Sequence, residues 1–285
     1  GGDIEVDFTV RGTSEDLEKK YLRLTSAPDP ATVRPERVLE LSFAHVKRRV
    51  AAGAAAVAAA VEGGCVGDKD AAGPSPKDGG GVVPDDPPYI WVWEQLKSIR
   101  QDLTVQHIRS KLTVAVYEYH ARHCLFNGDW GEFNQCQSVI HTLHEEPGIC
   151  TQEARFEFAA YSILYAVATD QSVWEVSRRL RDLSSDARDH PVVRHAMKVR
   201  EATSTGDYAQ LFRLRERAPH CSRFLIDAFA DRARMDALRV ACKAYAPEVP
   251  VRHLGLALGF GAPPPPALDA VLDGQDPPPP PPEDE

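Results

Sequence analysis

The stretch Gly128 to Gln137, GDWGEFNQCQ, sets two glycines beside an acid, an aromatic and a cysteine, and reads either as a catalytic turn or as a bend between helices. Its outline recurs at Gly206-Asp207-Tyr208, with Phe212 just beyond, as Phe133 follows Trp130. Glycine supplies the backbone freedom that ends one helix, and an aspartate directly after it suits the N-cap of the next. Trp130 and Tyr208 are then expected to plug the gap between paired helices. The two turns lie 78 residues apart (128 to 206), about two helical hairpins of tetratricopeptide-like length. The repetition favours architecture over chemistry.

Working outward, Phe133, Cys136, Ile140 and Leu143 form an apolar stripe at helical spacing after the turn. Before it, Tyr89 opens a long helical region in which Ile108, Leu112, Ala115, Val116 and Tyr119 are expected on one face. Further amphipathic segments fall at about 152–169, 172–184, 191–204, 207–217 and 222–246, opened by Ser172-x-x-Glu175, Pro191 or Asp207. Near the start, Thr13-Ser-Glu-Asp16 has capping-box spacing before Leu17, Tyr21 and Leu24, which predicts a short helix there. A second helix follows from Pro35 to Val50. No segment alternates as a strand does. The fold class expected is all-α, a tetratricopeptide-like helical solenoid.

The domain reading follows composition. Residues 1–12 are a disordered lead and 13–50 the N-terminal helices. Residues 51–88, rich in Ala, Gly, Pro and Asp, form a low-complexity insertion with too little apolar surface to offset its ordering entropy, apart from an Ala helix fraying at its start. Residues 89–246 are the helical-repeat domain, 247–260 a short closing element, and 261–285 a Pro-rich acidic tail.

Net charge is −9, yet 62–88 hold six acids against two bases and 261–285 six acids with no base, so the remainder is near neutral. Residues 172–240 hold fourteen Arg and Lys against ten Asp and Glu, a surplus that permits contact with nucleic acid without demanding it. Six cysteines without a Cys-x-x-Cys pair suit a reducing, intracellular compartment. The longest apolar run, Ala51 to Val61, falls far short of the ~20 residues of a spanning helix, so a soluble protein with no membrane partner is expected. The opening Gly1, with no apolar leader after it, suggests a fragment or a trimmed gene.

Three stretches, KYLRLTSAPDPATVRP (Lys20–Pro35), WEQLKSIRQDLTVQHIRSKLTVAVYEYHARHCLFNGDWGEFNQCQ (Trp93–Gln137) and DAFADRARMDALRVACKAY (Asp227–Tyr245), resemble the Sac-three/GANP/Thp-three family of PCI-type proteins. The branch of leukocyte receptor cluster member eight and its Thp-three relatives is the most similar. The resemblance covers roughly residues 12–47 and 89–260. It implies a PCI-type solenoid closed by a winged helix, and a nuclear scaffold, with a cytoplasmic pool allowed, for mRNA processing or export. Implied partners are a second PCI-domain protein and a small acidic subunit, with sequence-tolerant RNA as a candidate ligand. A subunit of a proteasome-lid, COP9-signalosome or translation-initiation assembly is the alternative. Ile99, Leu103, Val105, Phe133 and Cys136 are expected in the core, and Arg100, Gln101, Asp102, Gln106 and Arg109 are expected to tie helices at a junction or meet a partner. Pro250 to Phe260 begins the winged helix, which stays incomplete because Pro263–Pro266 and Pro277–Pro282 cannot supply buried strands.

For chemistry, His120, His123, Cys124, Cys136, His141 and His144 are the metal candidates, but their spacing matches neither a zinc finger nor His-Glu-x-x-His. Buried thiols and surface histidines are the plainer reading, so no metal, cofactor or catalytic residue is expected. For nucleic acid or partner contact, Arg232, Arg234, Arg239, Lys243, Arg252 and His253 are the candidates; the alternative is a solvated face pairing with Asp231 and Asp236.

Overall fold

The computed structural model describes residues 10–62, 87–169, 180–181, 183–245, 248–261 and 272, with the side chains of 56–62 excepted. Among the described residues a 3-10 turn at Pro30–Thr32 precedes ten α-helices. They are α1 (Glu36–Glu62), α2 (Tyr89–Val105), α3 (Lys111–Asn127), α4 (Trp130–His144), α5 (Gln152–Ala168), α6 (Ser185–Asp189), α7 (Pro191–Thr205), α8 (Tyr208–Glu216), α9 (Ser222–Ala244) and α10 (Val251–Ala257). No strand occurs among the described residues, and helices pack on helices, as the all-α reading expected. Two compact units result, Gly1–Ala121 with Ser138–Ile149 and Arg122–Gln137 with Cys150–Glu285.

In the second unit α5 packs on α7 and α9, α7 on α6 and α8, and α8 on α9 and α10, the nearest-neighbour stacking of a solenoid. Local chemistry starts several of the helices. Thr151 accepts from the Ala154 amide to begin α5, Pro191 stands at the first turn of α7, and Asp207 accepts from Gln210 N to begin α8. The face α7 buries is Val192, Val193, Ala196, Val199 and Ala202, and α5, which packs on α7, buries Ala160, Ile163, Leu164 and Ala166. Each fully buried Val or Leu contributes roughly 1.5–3 kcal/mol.

Both Gly-Asp-aromatic turns are helix junctions. Gly128 and Gly206 hold left-handed φ of 70° and 73°, and Asp129 Oδ1 accepts from Glu132 N as Asp207 Oδ1 does from Gln210 N. The stripe Phe133, Cys136, Ile140 and Leu143 is fully buried. Trp130 and Tyr208 are only half-buried, so they do not fill sealed gaps; Tyr208 lies beside Gly206. Trp130→Ala should therefore cost less than the ~3–5 kcal/mol of a core aromatic. Asp207→Ala should cost about 1 kcal/mol and Gly206→Ala about 1–2 kcal/mol in urea titrations, because one removes a cap and the other strains a left-handed position.

Three expectations need correction. The long helical region from Tyr89 breaks at Gln106–Ser110, where His107 takes φ 52° and Thr113 Oγ1 donates to Ile108 O. Ala115 is exposed, while Leu112 and Val105 are half-buried. Residues 13–24 form no helix after their capping box: Thr13 N and Ser14 N donate to Pro30 O and Val33 O, so the segment lies extended. The second helix, expected to end at Val50, runs on to Glu62. All of the segment expected at 172–184 except 180–181 and 183–184, and the insertion from 63 to 86, lie outside the described residues.

In the first unit this extended strap is gripped by glutamines of α2 and of its C-cap, Gln106. Gln95 Oε1 accepts from Lys19 N, Gln101 Nε2 donates to Leu22 O, and Gln106 accepts from Gly12 N while donating to Arg34 O. Side-chain amides replace the hydrogen bonds a helix would have made internally. The core of the unit, Leu39, Leu96, Ile99 and Leu103, is fully buried beneath α1 and α2.

Candidate cationic interface

The six cationic candidates lie on late α9 and on α10, and the geometry divides them. Arg234 is built into the fold: it pairs with Asp231 at 2.8 Å, donates from Nε to Leu258 O, and sets its guanidinium 5.0 Å from the Phe212 ring and 4.6 Å from that of Phe260. Arg239 pairs with Asp236 at 2.6 Å on the surface. These are the acids the solvated-face reading names. Arg232, Lys243, Arg252 and His253 are exposed, with the His253 ring 6.3 Å from that of Tyr245.

Pro250 starts α10, and Gly259, at φ 69°, lets the chain turn against Phe212; a Cβ there would stand only 3.2 Å from that ring. Between α8 and α10 lies a cavity of about 300 Å³ lined by Ala209, Phe212, Arg213, Glu216, His253 and Leu256. Around it Val251, Leu256 and Phe260 are 83, 68 and 65% exposed. Exposed apolar side chains rimmed by cations make a surface suited to contact.

The second unit also holds a buried polar chain that carried no local sequence signal. Arg122 donates twice to Glu157, at 2.8 and 2.6 Å; Tyr161 donates to Glu157 at 2.6 Å and accepts from Cys221 N at 2.9 Å. Burial alone would raise the Glu157 carboxyl, but the Arg122 hydrogen bonds and charge, with the Tyr161 hydroxyl, hold it below its usual range. Burial drives the Tyr161 phenol well up and the Cys221 thiol to about 12, so neither is a ready nucleophile. The cluster ties helices together.

Of the metal candidates, Cys124 and Cys136 are fully buried, and the histidines differ in their surroundings. Arg100 can only donate, so His120 Nδ1 accepts from it at 3.0 Å and the ring proton belongs on Nε2. His144 meets Glu118 at 2.8 Å, and His141 is exposed beside Glu145. Burial lowers His123 to about 4, and Asn127 Nδ2 lies 3.3 Å from its Nδ1. A base whose folded pKa lies below its unfolded ~6.5 contributes stability present in full above that value and lost as pH falls towards 4. At most about 3 kcal/mol is at stake. His123→Gln should flatten the stability profile measured by urea titration between pH 6.5 and 4.

Of the α2 cluster, Gln101, Asp102 and Gln106 hold the strap, Arg100 holds His120, and Arg109 pairs with Glu146.

Stacked helical hairpins with an exposed cationic and apolar C-terminal face define an all-α helical-repeat protein. Residues 132–264 match the SAC3/GANP family. SAC3 family protein A of Arabidopsis thaliana is 39% identical over 259 residues, 90% of this chain and 22% of that protein. A THP3 homologue of Schizosaccharomyces pombe is 36% identical over 253 residues, 88% of this chain and 54% of its own. A leukocyte receptor cluster member 8 homologue of Xenopus laevis is 38% identical over 254 residues, 89% of this chain and 27% of its own. The chain is thus similar to SAC3 and THP3 proteins over most of its length, and residues 132–264 match the SAC3/GANP family. It spans from about a fifth to about half the length of these relatives.

Proposed function

We propose that this chain is a non-enzymatic, PCI-type helical scaffold of a nuclear mRNA processing or export assembly. It receives a second PCI-domain protein and a small acidic subunit, and meets RNA without reading its sequence. Similarity to the SAC3/GANP family supports the class of assembly, and the exposed α9–α10 face supports the mode of action. That face is the single observation carrying the reading: Leu256 and Phe260 offer apolar anchors, and Arg232, Lys243, Arg252 and His253 offer charge. Phosphate contacts by such cations are sequence-independent and steeply salt-dependent.

Lys243→Glu with Arg252→Glu tests the reading, since both side chains are exposed and their replacement should leave the melting temperature unchanged. The expected result is loss of RNA or of the PCI-domain partner from the purified complex. Retention of both at parental levels would contradict the assignment of this face.

A further inference from the structure

The first unit carries a second cationic surface, made by the strap, α1 and α2 together. Glu18 on the strap accepts from His45 of α1 at 2.8 Å and lies 3.6 Å from Arg49, while Tyr21 stands edge-on to Trp93 of α2 with ring centroids 6.2 Å apart. Arg49 lies 4.2 Å over Trp91, and Lys97 lies 4.1 Å over Trp93 and 4.9 Å over Tyr21. Residues 18–23, 45–49 and 91–97 are thereby gathered into one patch. They hold seven bases against two acids, Glu18 and Glu94, which favours an anionic occupant. Lys19 is committed to Asp102, but Lys20, Arg23, Lys47, Arg48 and Arg49 are exposed, and the three aromatic rings are half-exposed.

We propose that this patch binds single-stranded nucleic acid, with its cations on the phosphates and Tyr21 and Trp93 stacking on unpaired bases. Charge alone would suit an acidic peptide equally. Half-exposed aromatic rings set among cations favour bases, whose π-faces stack and which a duplex would hide. The inference deepens the proposed function by adding a second, separate site for its RNA, and rests on that reading for the choice of RNA over DNA.

The test measures binding of labelled U12 and dT12 oligonucleotides by fluorescence anisotropy across a salt series. Lys20→Glu with Arg23→Glu and Arg48→Glu alters only exposed side chains and should leave the melting temperature in place. It should weaken U12 binding at least roughly tenfold and flatten the salt dependence by about one unit of slope per lost phosphate contact. Tyr21→Ala should weaken binding roughly 5- to 100-fold if a stack is lost. Equal weakening with dT12 supports single-strand recognition at the patch. The inference is overturned if the triple variant binds U12 as tightly as the parent, or if a polyglutamate peptide binds the parent more tightly than U12. A loss confined to Lys243→Glu with Arg252→Glu would also overturn it while leaving the proposed function intact.

Discussion

Asp102→Ala should destabilise the protein by about 3–5 kcal/mol, because it strands a buried guanidinium without a counter-charge. Asp102 is 1% exposed; its Oδ2 accepts from Arg34 Nε at 2.7 Å and its Oδ1 from Lys19 Nζ at 2.7 Å. Arg34, itself fully buried, spreads its remaining donors over Ser98 Oγ, Ser42 Oγ and Leu17 O. One carboxylate on the last turn of α2 thus anchors the strap and the segment leading into α1. The loss would be a large part of the ~5–15 kcal/mol that stabilises a typical domain. In urea titrations the midpoint should fall steeply, and amide exchange at residues 12–22 should quicken first. Unchanged exchange in the strap would show that the glutamines hold it without the charge.

Glu157→Ala should have a comparable effect in the second unit, again about 3–5 kcal/mol, since Arg122 would be left buried and Tyr161 without its acceptor. Tyr161→Phe should cost less, about 1–3 kcal/mol, because it removes one donor and leaves only the Cys221 amide unpaired. The pH dependence has a definite sign. A carboxyl held below its usual 4.5 contributes stability present above that value and lost as pH falls below it. The acid limb of the stability profile should therefore flatten in Glu157→Ala. Equal costs for the two variants would mean that the phenol, and not the ion pair, carries the cluster.

Much of the helical architecture was legible because it is written in local signals. Gly128-Asp129 and Gly206-Asp207 show a helix stop and a cap within two residues, and the α4 stripe keeps its period whatever packs against it. The strap was misread for the complementary reason. Thr13 to Asp16 offers good cap chemistry, but Gln95, Gln101 and Gln106, some eighty residues on, take the backbone groups a helix would have used. Nothing between 13 and 24 announces them. Nothing beside Arg34 in the sequence announces its burial, because its partner Asp102 is 68 residues away. Of the cationic candidates, Arg234 could not be separated from its neighbours by sequence, because its ties to Leu258, Phe212 and Phe260 exist only once α8, α9 and α10 are packed.

The central claim is that the chain serves an mRNA processing or export assembly by holding partners. The most direct measurement is quantitative mass spectrometry of the tagged full-length protein purified from nuclei, with and without ribonuclease. The account predicts a stoichiometric second PCI-domain protein that survives ribonuclease, together with mRNA-processing or export factors. Recovery instead of proteasome-lid, signalosome or translation-initiation subunits at that stoichiometry would contradict it.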